Sequence, residues 1–381
     1  MFALLLLVII YLSFISLGLP DTIIGVSIPA LQTDFGIALA GGGLLSMIVI
    51  SGTVVSSFLS GRLISRFGTG KVVFLSCVLT GTSLMGFGYS SHYSSLLVFA
   101  FPLGFGGGTV DVALNNYVAQ NFKARHMNWL HSFWGVGATL GPVILSGSLA
   151  TGDWRSGFRT ISMLQLALAA LLFLTLPIWK IHQTQKPHGE KPKPRGNVFT
   201  IPGVPFALAF MLFYCAVEIG VGLWGSSYLV SVKGFSAGTA ARYIAFYYLG
   251  ITMGRFISGF ASFKLNNRQM VSLGLRATLL TLLLLPAMPP ALIGAGIIII
   301  GLGLAPIFPA MLHETPERFP KEQAETVIAY QMGFAYIGSA IIPPLLGLLY
   351  QSLSMSLFPL TLLCFTGFLL YLSRKLNRMK P

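Results

Sequence analysis

The feature that most constrains this chain is a series of apolar segments, each close to the length needed to cross a membrane. Charged residues make up 9% of the 381 residues and hydrophobic residues 54%, whereas about 25% of a soluble domain is charged. As a helix, about 20 apolar residues span ~30 Å of hydrocarbon. The chain is therefore predicted to be an all-α integral membrane protein. Twelve helices are predicted, approximately over residues 2–30, 40–66, 71–89, 94–121, 127–150, 157–179, 204–230, 239–263, 270–286, 291–311, 325–350 and 355–373.

The basic residues predict the orientation of these helices. The chain has 24 Lys and Arg residues, and an even number of crossings places nearly all of them on the same side of the membrane as both termini. The exceptions are Arg155, Arg159, Lys233 and Arg242. Because cytoplasmic loops are enriched in Lys and Arg, both termini of this multi-pass cell membrane protein are expected in the cytoplasm. The net charge of +14 reflects this asymmetry, so no nucleic-acid partner is expected.

Two segments define where the predicted domains begin and where they are separated. Residues 2–10 lack the basic start and the small-residue cleavage site of a signal peptide, so they are predicted to belong to a retained first helix. Residues 180–203 contain the only long hydrophilic stretch, rich in Lys and Pro, which is typical of an extended linker. The predicted domains are an N-terminal six-helix bundle over 1–179, a cytoplasmic linker over 180–203 and a C-terminal six-helix bundle over 204–381.

Short motifs recur between the two halves. G-R-L-I-S at residues 61–65 returns as G-R-F-I-S at 254–258, and G-F-G at 104–106 returns as G-L-G at 301–303. Both pairs have nearly the same offset and the same place in their half. Six helices per repeat preserve orientation, so the halves are predicted to be related by a pseudo-twofold axis along the membrane normal.

Three acidic residues lie near the middle of predicted membrane helices. Asp21, Asp111 and Glu218 have no Lys or Arg at a comparable depth in the sequence. An ionised Asp at the centre of a membrane helix costs roughly 2.5–3.5 kcal/mol on insertion scales. Each carboxylate must therefore face a wet cavity, accept hydrogen bonds or carry a proton. This pattern is what a proton-coupled carrier requires, because a carboxyl group can bind a proton when it is closed off from water and release it when it is opened.

The loop between the second and third helices resembles that of the major facilitator superfamily. The superfamily pattern is G-x-L-x-D-R-x-G-R-K, and residues 61–71 read G-R-L-I-S-R-F-G-T-G-K. Ser65 stands where the pattern has Asp, so the usual cytoplasmic charge latch is altered. The resemblance implies a carrier with two six-helix bundles that works by alternating access, and a cytoplasmic gate formed by Arg62, Arg66 and Arg255.

Within the superfamily, the fourth helix resembles the fucose permease branch of sugar–proton symporters. That branch has G-x-G-x-x-E-x-x-x-N, and residues 106–115 fit this pattern with Asp111 in place of Glu. Residues 131–137 of the fifth helix and several polar and aromatic residues of the seventh helix are also similar. Asp21 departs from the branch, because it lies about one turn earlier than the corresponding Asp, on the same helix face.

These arguments predict the candidate site. Asp21 and Asp111 are expected to couple proton movement, and Pro20 is expected to weaken the first helix beside Asp21. The predicted substrate-binding residues are Asn115, Asn116, Glu218, Trp224, Tyr214, Tyr228, Trp134 and Gln331, with Tyr247 as a further candidate. The alternative for each is a role in helix packing. His131 is expected to be a structural hydrogen bonder, whereas His313, Glu314, Glu317 and Arg318 are expected to form a gate or a salt-bridge cluster.

The predicted function is proton-coupled uptake of a small polar solute such as a sugar, by a monomer in the lipid bilayer. Proton-driven efflux of drugs or metabolites uses the same acids and stays open. An integral membrane enzyme would need a catalytic cluster, and no H-E-x-x-H motif or Cys–His cluster occurs. A sensor would be expected to carry an added soluble domain. Cys77, Cys215 and Cys364 all lie in apolar runs, so no disulfide, metal or other cofactor is expected.

Overall fold

The computed structural model of the protein describes residues 2–122, 124–181 and 197–379. In these ranges the chain contains no β-strand. It forms α-helices and three short 3-10 helices, at Val198–Thr200, Leu285–Ala287 and Met355–Leu357. The α-helices of the described residues are α1 (Phe2–Asp21), α2 (Ile23–Phe35), α3 (Leu39–Phe67), α4 (Thr69–Tyr89), α5 (Tyr93–Asn121), α6 (Ala124–Ala150), α7 (Trp154–Ile181), α8 (Val204–Ser231), α9 (Ala237–Ala261), α10 (Asn267–Leu284), α11 (Pro290–Leu304), α12 (Ile307–Arg318), α13 (Lys321–Ser352) and α14 (Phe358–Arg378).

These helices make twelve membrane crossings. Within the described residues, 11 segments are long and apolar enough to span a bilayer, with α1 and α2 joined in the first and α11 and α12 joined in another. The remaining crossing is α9, which has 25 residues and is less apolar because it carries Arg242 and Arg255. The predicted all-α fold with twelve transmembrane helices is therefore confirmed.

Two crossings are interrupted. The break between α1 and α2 falls at Thr22, two residues after Pro20, where the sequence predicts a weakened helix. The crossing predicted over 291–311 is present, but its helix breaks at Ala305 and Pro306 and continues to Arg318. Proline lacks the backbone N–H of the helical ladder, and its ring clashes with the preceding turn.

The two halves repeat the same helix pairings, as a pseudo-twofold axis requires. In the N-terminal half α3 packs on α5, α4 on α7 and α1 on α6; in the C-terminal half the corresponding pairs are α9 with α11, α10 with α14 and α8 with α13. The recurring glycine motif lies in one of these pairs. Gly104 sits against the backbone of Val49, and Gly301 against the backbone of Tyr247. A side chain at either glycine would push the paired helices apart.

The halves meet at one face of the membrane. The basic face is the one at which α1 begins and α14 ends, and the far face is opposite. Between the halves, α2 packs on α8, α6 on α9 and α3 on α13. Near the far face, Gly25 lies against the carbonyl group of Gly222, and the backbone N–H of Ala40 donates to Gln351 Oε1 at 2.9 Å. Toward the basic face, Gly61 of α3 and Gly259 of α9 face open space.

Candidate functional site

A cavity of about 380 Å³ lies between the two halves. Its volume is in the usual range for small-molecule sites, about 300–1,000 Å³. It is lined by α1, α2, α3, α5 and α6 from one half and by α8, α9, α12 and α13 from the other. Its polar lining residues include Asp21, Ser46, Thr53, Asp111, His131, Trp134, Glu218, Tyr248, Arg255, Tyr336 and Ser339.

Asp21 is positioned by the break between α1 and α2. It is the last residue of α1 and is exposed to the cavity. Its Oδ2 atom accepts a hydrogen bond of 2.8 Å from the indole Nε1 of Trp134 on α6. The next residue, Thr22, donates its hydroxyl to the carbonyl oxygen of Ala138 at 3.0 Å. The break is thus tied to α6 on both sides of the peptide link, and this holds the Asp21 carboxylate toward the cavity.

Asp111 lines the cavity from the middle of α5. Its Oδ1 atom accepts a hydrogen bond of 2.8 Å from Asn115 Nδ2, which also donates to the Asp111 carbonyl oxygen at 2.9 Å. This pairing follows from their spacing, because residues four apart share one face of a helix. Asn115 therefore contacts Asp111, but it is not among the residues that line the cavity. Neither Asp21 nor Asp111 forms a salt bridge with any described residue.

Glu218 differs from these two acids. Its Oε1 atom lies 3.7 Å from Arg255 Nη2, with the side chains 16% and 25% exposed, respectively. The expectation that no cation reaches the three acids is therefore wrong for Glu218. Arg255 is near the basic-face end of α9, but helical side chains lean toward the N-terminus of their helix. In α9 this direction points to the membrane centre, where the long Arg side chain reaches Glu218.

Most of the predicted aromatic and amide residues lie outside this cavity and already have partners. Trp224 Nε1 donates to the Pro343 carbonyl oxygen at 2.7 Å, and Tyr228 stacks on Phe358. The Tyr214 hydroxyl donates to the carbonyl oxygen of Leu304. Because Leu304 ends α11, its carbonyl has no partner in the helical ladder, and Tyr214 supplies one.

The remaining polar candidates are also engaged elsewhere. Gln331 is buried and its Oε1 accepts from the Thr315 hydroxyl at 2.8 Å. Asn116 Oδ1 accepts from Gln120 Nε2 at 2.8 Å. The Tyr247 hydroxyl donates to the Glu218 carbonyl oxygen at 3.0 Å, so it supports the backbone of α8. Of the predicted substrate-binding residues, Trp134 and Glu218 are the ones that line the cavity together with both predicted proton-coupling acids.

The basic-face residues form two different environments. Arg62 and Arg66 are exposed and have no carboxylate partner among the described residues; Arg66 lies over the ring of Phe67 at 5.4 Å. In the other half, the expected salt-bridge cluster is present in part, because it contains Glu314 and Arg318 together with Arg268, whereas His313 contacts Asn267 and Glu317 has no salt bridge among the described residues. Glu314 is buried and pairs with Arg318 at 2.6 Å and with Arg268 at 3.1 Å.

Several cavity residues were not predicted to bind substrate. They include Ser46, Thr53, Tyr248, Tyr336 and Ser339, and also Arg255, which was predicted at the cytoplasmic gate. His131, predicted to be structural, lines the cavity as well. Tyr336 and Ser339 are three residues apart near the middle of α13, a spacing that places both on one helix face. The sequence could have indicated Tyr336 and Ser339 through this spacing. It could have indicated Arg255 because a helical side chain leans toward the N-terminus of its helix.

The cavity can therefore combine two chemistries. Its N-terminal half presents two carboxylates that accept hydrogen bonds from neutral donors. Its C-terminal half presents a carboxylate beside a guanidinium group.

The sequence matches the Major Facilitator Superfamily over residues 10–343 and 244–380.

This chain belongs to the Major Facilitator Superfamily. It is a transporter, and its relatives and fold are those of transporters rather than enzymes. This superfamily member is 22% identical over 367 residues to the cis,cis-muconate transport protein of Acinetobacter baylyi, covering 91% of this chain and 87% of the relative. It is 25% identical over 350 residues to the glucose/mannose transporter GlcP of Bacillus subtilis, covering 85% of this chain and 84% of that protein.

A solved structure has the same fold. The D-xylose-proton symporter superposes with a TM-score of 0.77 at 13% identity, covering 100% of this chain and 98% of that one. At this identity the likeness concerns the fold. It agrees with the arrangement of this superfamily member as two pseudo-symmetric bundles of six membrane crossings.

Proposed function

We propose that the protein is a secondary carrier that couples proton entry to uptake of a small polar solute, with a sugar as the expected class. The observation that carries this proposal is the pair Asp21 and Asp111. Both carboxylates line the cavity between the halves and accept hydrogen bonds from neutral groups, Trp134 Nε1 and Asn115 Nδ2. A carboxylate without a cationic partner can be neutralised by a proton without leaving an unpaired positive charge behind.

The transport cycle uses the two ends of the cavity in turn. Contacts of α2 with α8, α6 with α9 and α3 with α13 close the far face in the described conformation. Rocking of one bundle against the other would open that face and close the basic face around the same site. Burial disfavours the ionised form of Asp21 and Asp111, and renewed contact with water favours it. Each half-cycle thus changes the proton affinity of the site together with its access.

The proposal includes an orientation. Both termini and the 180–203 linker face the cytoplasm of the cell membrane, the bundles occupy 1–179 and 204–381, and a monomer in the lipid bilayer is sufficient. The support is the concentration of Lys and Arg at the basic face. Cysteine labelling in sealed cells tests it, with Cys364→Ser as the background. A membrane-impermeant reagent should label Thr151→Cys at the far face and leave Thr200→Cys unmodified; the reverse pattern would overturn the orientation.

Sugar as the solute class is supported by the likeness to the fucose permease motif and by relatives named for glucose and mannose. The fold of the D-xylose-proton symporter supports proton coupling. Another relative is named for transport of cis,cis-muconate, which is also a small polar solute. The polar side chains of the cavity, among them Ser46, Thr53 and Ser339, can hydrogen-bond the hydroxyl groups of such a solute.

Reconstituted proteoliposomes test the proposal. Radiolabelled glucose, xylose and muconate are offered outside at acidic pH, with a more alkaline lumen. At least one solute should accumulate above its external concentration, and a protonophore should reduce the ratio to one. The same accumulation ratio with and without the pH gradient would overturn proton coupling. Extrusion of amphipathic cations against the gradient, with no solute uptake, would replace uptake by proton-driven efflux.

A further inference from the structure

The charge of the cavity has one feature that uptake of a neutral sugar does not use. Among the residues lining the cavity, Arg255 is the only Lys or Arg, against the acids Asp21, Asp111 and Glu218. An Arg is positively charged at any working pH, whereas the carboxyl groups can be neutralised by protons. When Asp21 and Asp111 carry protons, Arg255 and Glu218 are left as the charged pair of the site.

This ion pair is the loosest in the described part of the protein. The other described Arg–carboxylate pairs have N–O distances of 2.7 Å, 3.0 Å, 3.1 Å and 2.6 Å, which are hydrogen-bond distances. The Arg255–Glu218 distance of 3.7 Å is too long for a hydrogen bond. The Arg255 side chain is 25% exposed and lines the cavity between the halves. Glu218 therefore does not saturate the N–H donors of Arg255.

The Arg255 side chain is also held in place. Its guanidinium carbon lies 5.5 Å from the centre of the Trp134 ring, a distance typical of a cation–π contact. The same indole donates its Nε1 hydrogen to Asp21. Trp134 thus connects the cation of the C-terminal half to a proton-binding acid of the N-terminal half. A ligand on Arg255 would lie beside both groups.

We propose that Arg255 binds the carboxylate of an anionic solute, a sugar acid or related hydroxy acid, and that Glu218 occupies this cation when no solute is bound. The proposal rests on the proposed function and names the solute class of that site. Planar guanidinium and carboxylate groups match in a two-point hydrogen bond. A solute with one carboxylate fits a site with one cation, and its hydroxyl groups can bind the remaining polar lining residues.

The exchange of carboxylates also accounts for coupling to a proton. A solute anion that takes Arg255 leaves Glu218 as a buried carboxylate without a cation, in a site that already holds two other acids. Protons on Asp21 and Asp111 reduce the negative charge around the displaced Glu218, so entry of the anion is favoured when these two acids are protonated. The charged and titratable groups around Glu218 are Arg255, Tyr247 and Tyr248 on α9, Tyr214 and Cys215 on α8, His131 on α6 and Asp21 on α1.

The experiment compares ligand pairs that differ at a single group. Calorimetry on the purified full-length carrier at pH 6 measures D-glucose against D-glucuronate and D-galactose against D-galacturonate. Hydrogen bonds to a charged group predict about 10- to 100-fold tighter binding of at least one acid than of its neutral partner. Equal affinity within each pair would overturn the proposal. Glucose 6-phosphate serves as a third arm, and tighter binding of this dianion than of either acid would also overturn it.

Variants then assign the effect to Arg255. Arg255→Gln should lose about 10- to 100-fold in affinity for the acid and less than about threefold for the neutral sugar. Glu218→Gln removes the competing carboxylate, so acid binding should be retained or tightened and should depend less on pH. The double variant Arg255→Gln/Glu218→Gln removes both charges of the pair. It should fold even if Arg255→Gln alone misfolds, because no buried carboxylate is left without its cation, and it should bind the acid as weakly as Arg255→Gln. Arg159→Gln, whose ion pair with Asp153 lies outside the cavity, is the matched control.

The outcomes separate this inference from the proposed function. Proton-driven uptake of a neutral sugar that Arg255→Gln leaves intact would keep the carrier function and remove the acid-binding role. Uptake of an acid that needs Arg255 but ignores the pH gradient would keep the acid-binding role and remove proton coupling. A loss of acid binding in Glu218→Gln equal to that in Arg255→Gln would contradict the exchange of carboxylates.

Discussion

The carboxylates of the two halves differ in what surrounds them. Asp21 and Asp111 in the N-terminal half accept hydrogen bonds from an indole and an amide. Glu218 in the C-terminal half lies beside the guanidinium group of Arg255. A fixed cation stabilises the ionised form of a neighbouring carboxylate. Among the described residues, Glu218 is thus the cavity acid with a cation beside it, and Asp21 and Asp111 have only neutral hydrogen-bond donors.

Within the C-terminal half, a second acid shows the opposite extreme. Glu314 is 5% exposed and contacts two arginines at hydrogen-bond distance, and Arg318 also donates to Asn377. This cluster links α10, α12 and α14 at the basic face. The Glu314 pairs are thus shorter and less exposed on the acid side than the Arg255–Glu218 pair, as expected if the former is structural and the latter exchanges partners.

The largest effect is expected at Asp21. Asp21→Asn keeps a side-chain oxygen for Trp134 but cannot bind a proton, so the accumulation ratio in proteoliposomes with a pH gradient should fall to one. Exchange of labelled for unlabelled solute across the bilayer should continue. Asp153→Asn, which changes an acid outside the cavity, is the control and should accumulate normally. Full accumulation by Asp21→Asn would place proton binding elsewhere.

A large effect on stability is expected at Glu314. Glu314→Gln leaves two arginines without their carboxylate, and breaking a buried pair typically costs about 3–5 kcal/mol. Asp34→Asn removes the partner of Arg155, where the Asp side chain is 38% exposed, and should cost at most about 1 kcal/mol. Unfolding of both variants in mixed detergent micelles measures the difference. Equal losses would show that the Glu314 cluster is not structural.

A smaller effect is expected at Trp134. Trp134→Phe keeps an aromatic ring but removes the N–H donor to Asp21, a bond to a charged group worth about 1.5–3 kcal/mol. Loss of this donor disfavours the ionised carboxylate, so the proton is held to higher pH. The pH of half-maximal uptake should rise by about one to two units. Trp154→Phe removes a similar bond to Asp34 at 3.2 Å and should leave the pH profile unchanged; identical shifts in both variants would refute a local effect on Asp21.

The sequence predicted the fold well because each crossing depends on a local run of apolar residues. It missed the break before Pro306, although proline is a local signal, because the apolar run continues through it. It also predicted that Asp21, Asp111 and Glu218 lie at similar depth, and the structure places all three in one cavity. Depth can be counted along a helix at about 1.5 Å per residue.

Orientation around each helix axis could not be predicted in the same way. Trp224, Tyr228 and Tyr214 have suitable depth and chemistry, yet each is buried against other helices of its own half. The face that a helix turns to the cavity depends on packing with distant segments. Arg255 illustrates the reverse case, since its position in the sequence indicates the basic face whereas its side chain reaches the cavity.

The most direct test of this account compares Asp111→Asn with Glu218→Gln. Solute-driven proton movement is recorded with a pH-sensitive dye in proteoliposomes, and solute exchange is measured in the same preparations. Asp111→Asn should exchange solute without moving protons, whereas Glu218→Gln should still accumulate solute against its gradient when a proton gradient is applied. Normal proton movement in Asp111→Asn, together with its loss in Glu218→Gln, would contradict the division of roles between the two halves.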